Sequence, residues 1–504
     1  MKRISGNYKI KDLLFVIVSG IATQLAITHQ LGWLAWIAYV PYFLILIEVH
    51  KKQSFFYGVL FGLSIAVPSF FWMIPGSARF TGSSSGYGIV VYVISVGILA
   101  AYFGLINLFL KQLQIKSGSK AILLNAFIYS AVFVIGEYVF SAVFETMPWF
   151  GFHSGMALTS NIYFIQPASA GGIPVLSFFV VLVNAFIAIT ILQKRFANLW
   201  IPVSVFCLYF LWGFLEYQNH NRAANSDRSI NVALVNSNIA PEIKWNDSTG
   251  NFLVNGLFDL NKKAAALHPD LVVWTESAVP WTYSADDDFL KEINRIYQND
   301  SATQLLGMNT ESGHDVVYNS VYCIQPDGRV ESRYDKRFLL SMIEERKAGI
   351  LFPFLSSNGF EVAKGESMEP LNTPFGKAGI MICNESTVAS AARDMVRNGA
   401  DFFVNISNDG WFSNSYLVDL HFYNARLRAV EQRKPLIINS NRGYSGAIDA
   451  NGDVLRKIKS DEPFVETVKI DPDSDISFYY NFPYFILAVS ILTILAAFYF
   501  KLKK

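Results

Sequence analysis

Apolar positions are spread unevenly along this chain. They fill residues 12–217 almost continuously, return at 484–500, and leave between them a block with ordinary charge and turn chemistry. Runs at 12–28, 32–49, 54–75, 87–110, 121–142, 172–192, 199–217 and 484–500 approach the roughly 20 apolar residues that a bilayer core requires. They predict eight transmembrane helices. The first follows a basic start, Met1-Lys-Arg3 with Lys9 and Lys11, as the apolar region of a signal peptide would. No small-residue cleavage site closes it, so it is read as a retained span. The stretch 143–171 between two spans is apolar and aromatic, with Phe144, Trp149, Phe150 and Phe152. Such residues commonly anchor at an interface. The stretch faces the same side as the polar block and is placed to floor a site there.

Within the block the period changes. Strands are predicted at 230–235, 271–275, 304–308, 401–406, 435–440, 444–449 and 465–470. A hairpin is predicted at 316–324 and 330–334 around Pro326-Asp-Gly328. Helices are predicted near 248–267, 287–299, 387–398 and 417–433. Residues 341–372 carry Gly349, Pro353, Gly359 and Gly365 and are expected to be irregular. Met342, Ile343, Ile350, Leu351, Phe352, Phe354 and Leu355 there suit either a lid that dips into lipid or ordinary packing. The mixture of βα units and hairpins predicts a layered α/β sandwich beside a helical transmembrane bundle. The expected divisions are a seven-span domain at 1–217, a linker at 218–229, a sandwich at 230–472, and a final span with its tail at 473–504.

Composition sharpens this picture. An apolar share of 52% over 504 residues is too high for an ordinary soluble enzyme. A net charge of +1 offers no basic surface, so no nucleic-acid partner is expected. Three cysteines (Cys207, Cys323 and Cys383) are too few for a disulfide framework. Basic residues fall in alternate loops: Lys2 to Lys11, Lys51 and Lys52, Lys111 to Lys120, Lys194 and Arg195, and Lys501 to Lys504. The positive-inside rule then puts both termini in the cytoplasm and residues 218–483 across the membrane, on the periplasmic face of a bacterial inner membrane. No span carries an evident interior charge pair, which argues against a transporter.

Ala378-Gly-Ile-Met-Ile-Cys383 is a small, apolar strand that runs into the polar triplet Asn384-Glu-Ser386 and then a predicted helix. A thiol at such a turn meets backbone N–H groups and a helix N-terminus, which favour thiolate. A buried structural cysteine is the bland alternative. Glu276 ends a strand, where α/β sheets place their sites, and Lys336 follows the hairpin. Alone, the first reads as a helix cap and the second as a solvated charge. Together with Cys383 they form a set in which a carboxylate takes the thiol proton and an ammonium stabilises thiolate and oxyanion. The backbone N–H of Asn384 would supply a second oxyanion donor. None of the seven histidines sits in a catalytic motif, and His421 reads as structural. No metal motif, P-loop or dinucleotide fingerprint appears, so neither metal nor cofactor is expected.

Glu276, Lys336 and Cys383, in that order and in these contexts, resemble the Glu-Lys-Cys triad of the nitrilase superfamily. Seven spans before such a domain and one after it resemble the superfamily's membrane-embedded branch, the apolipoprotein N-acyltransferases. Asn238 to Trp245, Trp274 to Ser277, Ser407 to Phe412 and Ala425 to Glu431 carry the likeness further. The resemblance implies an αββα sandwich and a two-step acyl transfer through a Cys383 thioester. The donor would be a membrane phospholipid, typically phosphatidylethanolamine, and the acceptor the α-amine of an S-diacylglyceryl cysteine on an apolipoprotein. It also implies supporting roles for Trp245, Glu344 and Glu385, the last orienting Lys336 or its loop. A monomer is expected. The chain departs from the family pattern at Leu339-Leu-Ser-Met-Ile-Glu344, which lacks the usual Pro and Gly and sets Glu345 beside Glu344, and at Asn384, where an aromatic is common. A membrane-tethered amidase and an inactive scaffold are the competing readings.

Overall fold

The computed structural model describes residues 9–502 apart from 82–84, 116–120, 224–228, 241–242, 244–245, 247–248, 298–300, 346–360 and 474. Seven helices among these are long and apolar enough to cross a membrane: Ile10–Thr28, Lys51–Phe70, Ser85–Leu113, Leu124–Val143, Ala168–Leu192, Phe196–His220 and Phe485–Leu502. The remaining predicted span, 32–49, is a broken pair, Gly32–Ala38 and Val40–Glu48. Pro41 sits in the first turn of the second piece, where it has no N–H to give. The Tyr39 N–H at the break is satisfied from outside, by Asn184 Oδ1 at 3.0 Å.

Two spans differ from expectation in ways that matter. The helix predicted at 172–192 starts at Ala168 and is kinked at Gly172, whose φ of 62° is left-handed. A Cβ there would collide with the Tyr479 ring, so glycine is needed for both conformation and room. The second difference is a carboxyl group inside the bundle. Glu137 is buried on the Ala121–Val143 helix and accepts hydrogen bonds from the Ser154 N–H and hydroxyl at 2.8 and 2.6 Å, with His153 at 3.5 Å. The expectation that no span holds an interior charge pair is not contradicted, since His153 lies outside the spans, but it overlooked this buried carboxyl. The partners come from the 143–171 stretch, folded back against the bundle, and sequence spacing does not reveal that.

The block between the spans forms two sheets. The strands are β1 (Ile230–Asn236), β2 (Leu271–Trp274), β3 (Val279–Thr282), β4 (Thr303–Gly313), β5 (Val316–Ile324), β6 (Val330–Asp335) and β7 (Glu361–Val362). They continue with β8 (Leu371–Thr373), β9 (Gly376–Ile382), β10 (Phe402–Asn408), β11 (Leu436–Asn441), β12 (Tyr444–Ile448), β13 (Val454–Lys459) and β14 (Phe464–Ile470). One sheet runs β14-β1-β2-β4-β5-β6, with β3 on β4 and β7 on β5. The other runs β13-β12-β11-β10-β9-β8. β3, β7, β8 and β13 were not expected. The first three are four residues or shorter, and β13 is a largely exposed edge strand without a buried face.

Alternation along β1 shows the layering. Ile230, Val232 and Leu234 share a core with Ile380, Ile406 and Ile438 of the opposite sheet. Ala233 and Val235 share another with Leu257, Leu260 and Ile293, from the helices Gly250–Ala265 and Asp288–Arg295. Ala389–Arg397 and Leu417–Gln432 cover the second sheet. The result is an αββα sandwich. Its sheets are tied through Asn439, whose amide donates to the carbonyls of Val235 and Val273.

The sandwich sits on the helical bundle through Leu417–Gln432. Arg426 donates to the carbonyls of Thr159 and Ser160 at 3.0 and 2.6 Å, and Arg433 to Gln166 at 3.0 Å. Glu431 accepts from the Ile173 N–H at 3.2 Å, just past the Gly172 kink. These membrane-side groups lie in or next to the 143–171 stretch, which therefore supports the sandwich directly. The Trp200–Ala223 helix runs past the linker start expected at 218.

Candidate active site

Each predicted catalytic side chain leaves the end of a strand. Glu276 follows β2, Lys336 follows β6 and Cys383 follows β9. The turns are tight. Ser277, next to Glu276, has φ 46°, and Cys383 has φ 54°. Left-handed backbone is uncommon outside glycine and collects at functional sites.

The three groups are buried together. Lys336 is 1% exposed, and its Nζ lies 3.8 Å from Glu276 Oε1 and 3.0 Å from Glu344 Oε1. Glu344 also accepts from the Leu340 N–H at 2.8 Å, which closes the loop that follows the lysine. Glu344, not Glu345, is thus the carboxylate on Lys336, despite the missing Pro and Gly. Asn319 on β5 accepts from the Lys336 N–H through its backbone carbonyl, and its side-chain amide donates to Glu276 Oε1, each at 2.8 Å. Sequence reasoning missed Asn319. The signal available was an asparagine inside a Val- and Tyr-rich strand, where that residue is disfavoured.

Burial dominates the electrostatics. It raises the Glu276 carboxyl above its ordinary value, against the lowering effect of Lys336. Burial alone would lower Lys336, but Glu344 and Glu276 more than reverse that and hold it charged. Cys383 is pushed well up, first by burial and then by Glu276, with Lys336 opposing. This corrects the expectation of a thiolate at a helix N-terminus. The residues Cys383–Thr387 form a short 3-10 turn and the α-helix begins only at Ala389, so the thiol does not sit in the helix's first turn. The free thiol is the stable form, and it requires a base at the moment of attack.

The neighbouring positions have clear partners. Glu385 accepts from the N–H groups of Ile382, Arg337 and Phe338 and from the Tyr334 hydroxyl, at 2.7 to 3.0 Å. It orients the lysine loop rather than the lysine head. Asn384 ties the same loop by donating to the Phe338 carbonyl at 2.9 Å. Trp245 lies outside the described residues, as do the proposed lid residues Ile350, Leu351, Phe352, Phe354 and Leu355. Met342, at the near end of that loop, is half-buried against the bundle core together with Phe412 and Tyr416. Thr146 of the bundle bonds Ser341 directly.

Two further findings concern ions and thiols. Cys207, Cys323 and Cys383 are all free thiols, as expected. His220, Asp473 and Asp475 come together where the bundle hands over to the final span. The ring nitrogens of His220 lie 3.2 and 3.4 Å from the two carboxylates, and Lys434 donates to both backbone carbonyls. The arrangement is a clasp between chain segments.

Residues 19–186 match the apolipoprotein N-acyltransferase N-terminal domain, and residues 231–478 match the carbon-nitrogen hydrolase domain. An apolipoprotein N-acyltransferase of Geobacter metallireducens is 26% identical over 88% of this chain and 86% of its own length. One from Borreliella burgdorferi is 25% identical over 90% and 89%. The chain belongs to the apolipoprotein N-acyltransferase family. The family is an enzymatic one. A carbon-nitrogen hydrolase of Helicobacter pylori and the nitrilase-superfamily protein Nit3 of Saccharomyces cerevisiae were also matched among solved structures. They are 18% and 19% identical, each with a TM-score of 0.38, over 53% and 49% of this chain and 92% of theirs.

Proposed function

We propose that this chain transfers a fatty acyl group from a membrane phospholipid, with phosphatidylethanolamine as a donor, to the α-amine of an S-diacylglyceryl cysteine on an apolipoprotein. Glu276 takes the Cys383 proton as sulfur attacks the ester carbonyl. Lys336 and the Asn384 N–H hold the oxyanion. Collapse breaks the ester C–O bond, and the lysophospholipid leaves with the proton returned by Glu276. The acceptor amine then attacks the thioester and gives its proton to Glu276, and the thiol is regenerated. Glu344 keeps Lys336 in place, and Trp245 contacts substrate. The chain acts as a monomer.

The observation that carries this reading is the seating of the site on the bundle. Met342, Phe412 and Tyr416, from the loops around the triad, pack against the core of the membrane-spanning helices. A site held there gains proximity to two lipid-anchored substrates. Intact-mass spectrometry of the detergent-purified protein incubated with phosphatidylethanolamine tests it. A hydroxylamine-sensitive, acyl-sized adduct mapping to the Cys383 peptide is expected, discharged on adding a diacylglyceryl cysteine peptide. Discharge to water at the same rate without acceptor would make the protein an amidase-like hydrolase. Absence of any adduct would refute the proposal.

The same reading places the divisions at 1–217, 218–229, 230–472 and 473–504, with the sandwich in the periplasm and both termini in the cytoplasm. The basic loops support it, since they alternate along the spans. Alkaline phosphatase, active only outside the cytoplasm, is expected to be active when fused after residue 229 and inactive when fused after residue 195. The reverse pattern would invert the topology.

A further inference from the structure

The carbonyl of Cys383 is held more firmly than its neighbours. It accepts from Asn405 Nδ2 at 3.2 Å, from the Ser386 hydroxyl at 3.2 Å, and from His421 Nε2 at 2.9 Å. His421 comes from the helix Leu417–Gln432 and is buried. Its Nδ1 lies 2.9 Å from Asp409 Oδ1, which also accepts from the Ser407 hydroxyl at 2.7 Å. A carbonyl is an acceptor only, so Nε2 carries a proton and donates it to the Cys383 oxygen, while Nδ1 faces the Asp409 carboxyl. Burial lowers the ring's proton affinity, but Asp409, the two hydrogen bonds and Glu276 outweigh that and raise it above the ordinary histidine value. Asp409 is itself fitted in place, because a Cβ on Gly443 would strike its second oxygen.

In a trans peptide the C=O and the following N–H point in opposite directions. Fixing the Cys383 oxygen toward His421 and Asn405 therefore fixes the Asn384 N–H on the other side. If the peptide turned over, a carbonyl oxygen would stand where the N–H had been and repel a developing oxyanion. Cys383 sits at φ 54°, a conformation that needs its surroundings to maintain it.

We propose that the Asp409–His421 pair is a positioning device for the oxyanion site: it anchors the Cys383 carbonyl and so aims the Asn384 N–H at the reacting carbonyl oxygen. His421 touches neither substrate nor sulfur in this role. The inference rests on Cys383 being the acylated nucleophile.

The test compares two amides. Glutamine at 421 places its donor near the Nε2 position and can still reach the Cys383 carbonyl; asparagine places it near Nδ1 and cannot. Full-length wild type, His421→Gln and His421→Asn are assayed in detergent for acylation of Cys383 by phosphatidylethanolamine and by a p-nitrophenyl ester. Alkylation of the same thiol by iodoacetamide, which forms no oxyanion, is followed in parallel. His421→Asn is expected to lower acylation about 100-fold, the scale of one lost oxyanion donor, with alkylation unchanged. His421→Gln is expected to recover most of the loss. Equal acylation rates in the two variants, or parallel losses of acylation and alkylation, would overturn the inference. Should wild type react with the p-nitrophenyl ester but not with phospholipid, the lipid reading fails while the variants still judge the inference on the ester. Reaction with neither donor would overturn both.

Discussion

Glu276→Gln is expected to slow acylation of Cys383 by about 1,000-fold, within the range that a positioned general base contributes. The thiol is buried and its proton is held tightly, so sulfur does not ionise by itself near neutral pH. In the proposed mechanism Glu276 receives that proton. It is buried and raised in pKa, which brings it closer to the working pH, and Asn319 fixes one of its oxygens. The sign of the pH effect follows. The base form is lost as pH falls through the raised value, so wild-type acylation declines on the acid side at a pH above the ordinary glutamate range. The amide introduced by Glu276→Gln cannot titrate. The variant loses that limb, and its residual rate rises with pH as the thiol itself ionises. Single-turnover acylation across pH 4 to 10, on the scale of the reference ionisations, measures both. An acid limb that persists in Glu276→Gln would assign the base elsewhere.

Lys336→Met is expected to remove acylation to a similar extent and to destabilise the sandwich as well. Its ammonium lies 3.0 Å from Glu344 and 3.8 Å from Glu276 in a site where the lysine is 1% exposed. Breaking a buried pair by deleting one partner costs about 3–5 kcal/mol, because the other charge is stranded. Here two carboxylates are stranded, and Glu276, already raised by burial, responds by taking up a proton. The folded-state pKa of Glu276 then rises further above its unfolded value. A carboxyl raised in this way adds stability below its unfolded pKa and loses it as pH rises through the folded value. The deficit against wild type is therefore largest near neutral pH and shrinks on acidification. Thermal unfolding in detergent at pH 7 and pH 5 reads this directly. The pair Lys336→Met with Glu344→Gln separates the two effects: it is expected to regain much of the stability and none of the acylation. A single variant that unfolds at the wild-type temperature would show that the buried charges are not coupled as described.

The elements that the sequence specified most clearly are those with local causes. Membrane spans follow from the length of an apolar run, and β1, β9, β10 and β11 from short apolar runs that the sandwich buries on both faces. The order of Glu276, Lys336 and Cys383 at strand ends was equally readable, because strand endings are marked by local turn chemistry. β13 went unread since its residues are largely exposed, so no buried face marks it. The break at Tyr39 and the kink at Gly172 were missed because each is completed by a distant partner, Asn184 in one case and Tyr479 with Glu431 in the other.

The same division runs through the active site. The identity of the reacting groups is a property of the chain, but their charge state belongs to the fold. A thiol after a strand and before a helix reads as activated, yet burial at 383 outweighs any local dipole and leaves it protonated. His421 carries no motif, and only the packing of Leu417–Gln432 against the Cys383 turn brings it to the nucleophile's carbonyl. For Glu385 the resemblance left two roles open, orienting Lys336 or its loop, and the fold selects the loop, whose Arg337 and Phe338 N–H groups close over it. Residue order along the chain dictates which elements form and which side chains can react. Which proton sits where, and which backbone groups face the substrate, depends on desolvation and on contacts between residues far apart in the chain, and those arise only when the sandwich packs.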